Sequence, residues 1–339
     1  MNTTRLHSRA TTTPWRPKQL RQSVAGFTLI EMMIALVIGL VILAASLSLY
    51  VASSRGSQLS QIETQMNEDG ILAVNLIQQQ LKQAGYSRQV IPVSGSTVMG
   101  NYFGPAVRGC DGGFTDPGAA FDALACTNGS GSDAIAIRYE ATVFNTQPTT
   151  DATPLASNCL GHGINVATAS QAAPAPTPPA GNYALADNRY LVTNADTQPM
   201  LSCQGSEKSG AANVIGTSQP LLANVESMQV LYGVASRPSA ELAANYDPMK
   251  HQIISYLSAS GVDALASTGT LPNAADDRWS RVLSVRVCLL MRSDQPVKDA
   301  PPGAMAYKDC SNVDATGTDG YLRRTYTTTV LLRNRVVIQ

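Results

Sequence analysis

The chain has few of the residues on which catalysis usually depends, and few charges of either sign. Its 339 residues include three histidines, and Asp, Glu, Lys and Arg together make up 14%. No G-x-S-x-G elbow, S-x-x-K, H-E-x-x-H, phosphate-binding P-loop or Rossmann glycine pattern is present. His7 lies near the N-terminus, His162 lies between two glycines, and the sequence alone assigns no catalytic partner to His251. We therefore expect no catalytic residue, no small-molecule substrate and no cofactor.

Close pairs of cysteine are absent as well. Zinc sites usually contain C-x-x-C pairs, so we expect no metal site. The cysteines are even in number and all follow a long apolar segment, which favours disulfides formed in an oxidising compartment. Six cysteines allow about fifteen connectivities, and pairing between chain neighbours is the default expectation. That pairing would join Cys110 to Cys126, Cys159 to Cys203, and Cys288 to Cys310.

Acidic residues are missing from the start of the chain, so its charges are distributed unevenly. Residues 1–26 contain five basic residues, whereas the formal charge of the whole chain is zero. The rest of the chain is therefore mildly acidic, and its Lys and Arg residues are scattered. Because phosphate binding needs a clustered basic surface, we expect no nucleic-acid partner. The five basic residues are Arg5, Arg9, Arg16, Lys18 and Arg21.

Charges are absent again from Met32 to Ser54, a run of 23 mostly apolar residues. As a helix this run is about 35 Å long, enough to cross a hydrocarbon core of about 30 Å. The basic residues precede it, so the positive-inside rule predicts residues 1–26 in the cytoplasm and everything after Arg55 on the other side. A cleaved secretory signal has a shorter apolar run, of about 7–15 residues. A plain membrane anchor leaves Glu31 either as an acid at the membrane interface or as a residue retained for function.

The residues around Glu31 add a resemblance to a known family. Gly26-Phe27-Thr28-Leu29-Ile30-Glu31, followed by an apolar run, resembles the processing motif of type IV pilins and pseudopilins. The resemblance implies that prepilin peptidase cuts between Gly26 and Phe27, and that the new amino group becomes N-methylphenylalanine. Glu31 is then the fifth residue of the mature chain, where its carboxylate can pair with the Phe27 amino group of a neighbouring subunit. It also lies in the first helical turn, where the helix dipole favours an anion.

Helical periodicity continues beyond the membrane segment. No proline occurs from Phe27 to Gln89, and Gly85 is placed as a C-terminal cap, so we expect one helix over residues 27–85. Gly70 is expected to weaken that helix by about 1 kcal/mol relative to alanine, and a bend there is possible. An apolar stripe recurs at steps of three and four residues and is expected to pack on a globular domain. Its members are Leu59, Ile62, Met66, Ala73, Ile77, Leu81 and Ala84.

The later sequence predicts a mainly antiparallel sheet with long loops, and therefore an α+β fold. We expect a leader at 1–26, a transmembrane and assembly helix at 27–51, its amphipathic continuation at 52–85, and a β-rich globular domain at 86–339. A short helix is expected at Met249–Ser258. Predicted strands are Asp133–Tyr139, Arg189–Thr193, Val225–Val234, Arg281–Arg292 and Tyr326–Ile338, with loops at Thr142–Pro154 and Ala172–Gly181.

Length and three C-terminal stretches, Val225–Val234, Val282–Leu290 and Thr329–Arg335, resemble PilW-type minor pilins. The resemblance implies a pilin-like fold and a subunit that joins other minor pilins and the major pilin, primes assembly of a type IV pilus and lies at or near its tip. It implies an inner-membrane anchor with the C-terminal domain in the periplasm, then incorporation into the fibre outside the cell. In such proteins a late disulfide commonly ties a loop near the C-terminus, which favours Cys288 with Cys310.

Other interpretations share parts of this pattern. A minor pseudopilin of a type II secretion or DNA-uptake system has the same N-terminal features. A membrane-anchored enzyme or adhesin outside the cytoplasm predicts an uncut anchor together with a pocket or binding face. Asp314–Gly320 weakly resembles a calcium loop but lacks the spacing and closing Glu of an EF-hand, so a polar turn is the default expectation.

Overall fold

The computed structural model describes most of the chain after residue 25. The described residues are 26–90, 99–100, 102, 104–127, 129, 131–168, 182–195, 198–238, 247–271, 273–297 and 303–335. Residues 1–25 of the leader and the loop expected at Ala172–Gly181 lie outside them. In chain order the helices and strands are α1 (Leu29–Gln83), β1 (Gln89–Val90), β2 (Met99–Gly100), β3 (Val107–Cys110), β4 (Ala134–Ala141), β5 (Ala167–Thr168), β6 (Asn182–Ala195), β7 (Gln198–Ser209), β8 (Ala212–Ile215), β9 (Gln219–Ala223), β10 (Val225–Ala235), β11 (Ile253–Leu257), α2 (Ala259–Asp263), α3 (Ala274–Trp279), β12 (Val282–Arg292), β13 (Ala306–Lys308), β14 (Asp314–Thr316) and β15 (Arg323–Leu331).

The first element, α1, is a single helix of 55 residues, close to the helix expected over residues 27–85. It ends at Gln83, and Gly85 follows with a φ of 72°, a left-handed conformation that glycine adopts without steric penalty. The amide of Gly85 donates to the carbonyl of Arg138 over 2.8 Å. The C-terminal cap therefore also ties the helix to β4.

The chain divides into two compact units, residues 1–58 and residues 59–339. The described part of the first unit consists of Gly26 to Thr28 and the beginning of α1. The second unit contains the end of α1, from Leu59 to Gln83, and every described strand. The helix therefore contributes residues to both units.

Two antiparallel sheets form most of the second unit. One has four strands in the order β11-β10-β12-β15. The other has seven, with β3-β4-β6-β7-β8 along its main path, β5 beside β6, and β9 beside β7. All described strand pairs are antiparallel, including the two short pairs β1-β2 and β13-β14. The expected α+β class, a long N-terminal helix with a mainly antiparallel β domain, is confirmed.

The last turns of α1 pack against both sheets in one core. The predicted apolar stripe is confirmed, because its later members are buried and Leu59 and Ile62 pack against the same core. Gln80 Oε1 accepts hydrogen bonds from the Tyr139 hydroxyl and the Asn188 amide, over 3.0 and 2.9 Å, which fixes the helix on the seven-stranded sheet. The buried residues of the helix are Met66, Gly70, Ala73, Ile77 and Leu81.

Gly70 completes this buried stripe for a reason that the sequence does not show. A Cβ atom at Gly70 would lie 2.4 Å from Cε2 of Tyr326, on β15. The hydroxyl of Tyr326 donates to Asn67 Oδ1 over 2.6 Å, so the ring is fixed over the glycine. The helix runs through Gly70 without interruption. The glycine therefore provides a site for close helix–strand contact.

The short helix expected at Met249–Ser258 is wrong. Pro248–His251 form one turn of 3-10 helix, and Ile253–Leu257 form strand β11. β11 pairs with the end of β10, from Tyr232 to Ala235. Two adjacent isoleucines favour this outcome, because β-branched side chains lose rotamer freedom in a helix and fit a sheet surface. The predicted strands are all present, although the last one ends at Leu331 and is followed by a 3-10 turn at Arg333–Arg335; residues 336–338 of that prediction lie outside the described residues.

Candidate functional site

The start of α1 is closed by reciprocal hydrogen bonds between Thr28 and Glu31. The amide and hydroxyl of Thr28 donate to Glu31 Oε2 over 2.8 and 2.9 Å, and the amide of Glu31 donates to Thr28 Oγ1 over 3.3 Å. This is a capping box, which satisfies backbone donors that the first helical turn leaves without partners. Glu31 therefore has a structural role in its own chain. The Thr-x-x-Glu spacing is the signal that could have predicted it.

The predicted processing residues lie together at this end of the helix. Gly26 and Phe27 precede the first turn and are exposed, Phe27 at 84%. Both hydrogen bonds to the Glu31 carboxylate end on Oε2, and Oε1 has no hydrogen-bond partner among residues from Gly26 onward that the structure describes. Since a carboxylate can accept about four hydrogen bonds, Glu31 can bind a further donor without losing the cap.

The residues after Glu31 present apolar side chains on every side of the helix. From Met32 to Ser54 nearly all are exposed, including Leu43 at 66% and Leu47 at 66%. Among the described residues, α1 is the one helix long and apolar enough to cross a membrane. A continuous apolar surface of this kind is unfavourable in water. It fits a membrane-anchored chain.

Three disulfides lie in the second unit. They join Cys110 to Cys126, Cys159 to Cys203, and Cys288 to Cys310, which are the neighbour pairs. The third closes the loop between β12 and the C-terminal strand, with a sequence separation of 22. Disulfides restrict the unfolded chain, and a loop of this length corresponds to about 3 kcal/mol of stabilisation.

An arginine network holds the end of the same loop. Arg323 is 8% exposed and donates to Glu226 on β10 and to Asp319, with closest distances of 2.6 Å to each. The hydrogen bonds from Arg323 hold the pKa of Asp319 well below its usual value. Asp314 instead pairs with Lys308 over 2.8 Å. The two acids of the calcium-like stretch are therefore bound to separate cations, and the residues described contain no group of three or more metal-ligating side chains.

Asp133 links the two sheets and was not identified as important from the sequence. Its amide donates to the carbonyl of Met228, and its Oδ2 accepts from the amide of Val230, each over 2.8 Å. Asp133 thus bonds to Met228 and Val230 in β10, whereas β11 pairs with the later residues of β10, Tyr232 to Ala235. The side chain is 6% exposed, and burial raises its pKa to about 6. The only sequence signal is an acid immediately before a predicted strand.

A second buried charge cluster holds the loop closed by Cys110 and Cys126. Arg189 is fully buried and makes two hydrogen bonds to Asp187, over 3.0 and 2.9 Å. Its other terminal nitrogen donates to the carbonyls of Pro117 and Ala119 in that loop. These acceptors supply the hydrogen bonds that water would otherwise make to the guanidinium of Arg189, and they position the loop.

The two histidines after the leader lie apart from these features. Nδ1 of His162 is 2.5 Å from Oε2 of Glu207, and both side chains are partly exposed. His251 lies in the 3-10 turn Pro248–His251.

Comparisons with known proteins match both ends of this arrangement. Residues 21–47 match the model of the prokaryotic N-terminal methylation motif. Residues 189–334 match the model of type IV pilus-assembly protein W. No curated protein matches the chain. Among solved structures, a type IV-like pilin from Thermus thermophilus is 13% identical, with a TM-score of 0.33, and the match covers 80% of this chain and 98% of that one.

Proposed function

We propose that this chain is a PilW-like minor pilin of the type IV pilus, that it helps to initiate pilus assembly and that it lies at or near the pilus tip. The observation that supports this most strongly is the exposed Gly26-Phe27 bond and the capped Glu31 at the start of a membrane-length apolar helix. A subunit that keeps this helix after processing can use it twice, first as an anchor and then as an assembly surface.

Processing is proposed at the Gly26-Phe27 bond. The bond lies before the first helical turn, and a Cβ atom at Gly26 would meet no other atom within 4 Å. Prepilin peptidase can therefore reach a backbone segment that is not part of the helix. Cleavage leaves Phe27 as the new N-terminus, and methylation makes it N-methylphenylalanine. The basic leader is lost and the apolar helix remains.

Glu31 is proposed to select a neighbouring subunit during assembly. An acid in a lipid environment is costly unless it is paired. The Phe27 ammonium of another subunit is a donor of opposite charge, and Oε1 of Glu31 can receive it while Oε2 keeps the bond to Thr28. Pairing of the two charges stabilises helices that lie side by side in the membrane or in the fibre.

The remaining parts of the proposal concern location and chemistry. The chain is anchored in the inner membrane, and its second unit faces the periplasm, where the three disulfides form. It then enters the fibre with other minor pilins and the major pilin. The role is structural and not enzymatic, which is supported by the scattered histidines and by acids that are bound to cations of the same chain.

The proposal is tested with three variants in a host that makes the pilus. Gly26→Glu should remain at full length, because the peptidase cannot accept the bulky charged side chain. Glu31→Ala should be processed but should be depleted at least tenfold from sheared pili. Glu68→Ala is the matched control, because Glu68 is an exposed acid on the same helix outside the apolar run, and its incorporation should be normal.

Two results would contradict the proposal. Normal processing of Gly26→Glu removes the peptidase site, and wild-type incorporation of Glu31→Ala removes the assembly role of the carboxylate. Initiation is tested separately by deletion of the gene. We expect fewer pili per cell while the amount of processed major pilin stays unchanged. An unchanged number of pili would refute a role in initiation.

A further inference from the structure

β15 forms one edge of the four-stranded sheet. The short strand β13 lies near its first residues, Arg323 to Thr325, but no described strand other than β12 pairs with it. β15 has nine residues, and its pairing with β12 continues from Arg323 to Leu331 without a register shift. The opposite edge, β11, has five residues and a register shift. The ends of the seven-stranded path, β3 and β8, have four residues each. Among the described strands, β15 is therefore the longest regular sheet edge.

The hydrogen bonds at both ends of β15 show which backbone groups face outward. The amide of Leu332 donates to the carbonyl of Leu283, and the amide of Ser293 donates to the carbonyl of Leu322. Inward bonds in an antiparallel pair alternate along the strand, so even-numbered residues bond to β12. The odd-numbered residues direct their amides and carbonyls away from the sheet. These are Thr325, Thr327, Thr329 and Leu331, and no backbone partner for them occurs within the described chain.

This edge lacks the features that normally prevent strand pairing. Exposed edges are usually interrupted by proline, a bulge or an unpaired charge. Arg323 and Arg324 are paired with acids, Arg324 with Glu63 over 2.8 Å. From Thr325 to Leu331 there is no charge and no proline, and the residues are mostly β-branched. Such a segment is chemically suited to accept another strand.

β15 also runs beside α1 and in the same direction. Arg324 contacts Glu63, Tyr326 contacts Asn67, and the Asn334 side chain donates to the Lys82 carbonyl over 3.0 Å. From Arg324 to Leu331 the strand advances about 23 Å before the 3-10 turn at Arg333–Arg335, and from residue 63 to residue 82 the helix advances about 28 Å. The exposed edge therefore runs in the same direction as the part of α1 that belongs to the second unit.

We propose that the outer edge of β15 binds a β-strand from a neighbouring pilin subunit, which extends the four-stranded sheet across the subunit boundary. The proposal rests on the function proposed above, because subunits drawn from one membrane have their helices in the same direction. A neighbour that presents a strand opposite in direction to its own helix pairs with β15 in the antiparallel arrangement, as β12 does within this chain. The four outward-facing residues supply the backbone hydrogen bonds, and the Thr and Leu side chains on the outer face supply the contact surface.

Hydrogen exchange measures this pairing directly. The processed full-length chain in detergent is compared alone and after mixing with the other minor pilins of the same pilus. Alone, the amides of Thr325, Thr327, Thr329 and Leu331 should exchange rapidly, whereas Tyr326, Thr328 and Val330 should be protected. In the mixture, the four odd-numbered amides should slow at least tenfold. Protection of these amides in the isolated chain, or no slowing in a mixture that does form a complex, would overturn the proposal.

A proline variant provides an independent test. Thr327→Pro removes an outward amide and leaves the bonds to β12 intact, while Thr327→Val keeps both the amide and the β-branched shape. We expect Thr327→Pro to lose at least tenfold in co-purification with the minor pilins, and Thr327→Val to behave as wild type. Equal co-purification of both variants would refute the strand pairing but would leave the proposed function standing. A wild-type chain that is not cut after Gly26 and does not co-purify would refute the proposed function as well.

Discussion

Gly70 contacts the ring of Tyr326. Whether Gly70→Ala raises or lowers the free energy of unfolding should therefore depend on the residue at position 326. Gly70→Ala adds helix propensity worth about 1 kcal/mol. The new methyl group, however, would lie 2.4 to 2.5 Å from three carbons of the Tyr326 ring. Ordinary carbon contacts need about 3.5 Å or more, so the ring or the helix must move by roughly 1 Å. Overpacking of this size costs about 1–3 kcal/mol, and we expect a net loss of about 1 kcal/mol.

Replacement of the ring should reverse the effect. In a Tyr326→Ala background the methyl group meets open space, and Gly70→Ala should stabilise the protein by about 1 kcal/mol. The two substitutions are therefore coupled by about 2 kcal/mol. Gly56→Ala is the matched control, because Gly56 is in the same helix and nothing lies within 4 Å of its added Cβ. That variant should not be destabilised.

Urea unfolding of the processed full-length protein in detergent gives the required free energies. Trp279 is the sole tryptophan after residue 26, it is 1% exposed, and its ring lies 4.9 Å from that of Tyr232. Its fluorescence therefore reports on the core of the second unit. Additive effects of Gly70→Ala and Tyr326→Ala, with no change of sign, would refute the explanation of Gly70 as a site of close contact.

Two further predictions concern stability of the second unit. Burial raises the pKa of Asp133 to about 6, so the folded state binds this proton more tightly than the unfolded state. The resulting stabilisation is complete below about pH 4 and is lost as the pH rises through 6. Unfolding should cost about 1 kcal/mol more at pH 5 than at pH 7 from this group, and an equal difference in Asp133→Asn would contradict it. Replacement of Cys288 and Cys310 by Ser should lower the free energy of unfolding in urea by about 3 kcal/mol. Non-reducing mass spectrometry of the wild-type protein checks the pairing, and free thiols at these positions would contradict it.

The start of the molecule could be predicted from sequence because its signals are local. The residues from Gly26 to Glu31 are contiguous, and the apolar run from Met32 to Ser54 is long enough to be read directly. The stripe from Leu59 to Leu81 repeats at helical spacing, so the buried face of the helix was also predictable. The two matched family models lie over this N-terminal region and the C-terminal strands.

The features that were missed depend on contacts between distant residues. Gly70 was expected to weaken or bend the helix, since the sequence does not show that Tyr326 packs against it. Met249–Ser258 was expected to be helical. The sequence does not show that an edge of β10 is available to pair with these residues, because the tertiary fold creates that edge. Asp133 belongs to the same group, since its partners on β10 lie about a hundred residues later. In each case local propensity is overridden by a partner that is distant in sequence.

The central claim is that the chain is processed at its leader and retains its apolar helix as a pilin subunit. Mass spectrometry of the N-terminal peptide, from protein isolated in the membrane and in sheared pili, tests this directly. We predict a chain that begins at Phe27 and is heavier by one methyl group on its amino terminus. A chain that still contains the basic residues before Gly26, or one that begins after Ser54, would contradict the account.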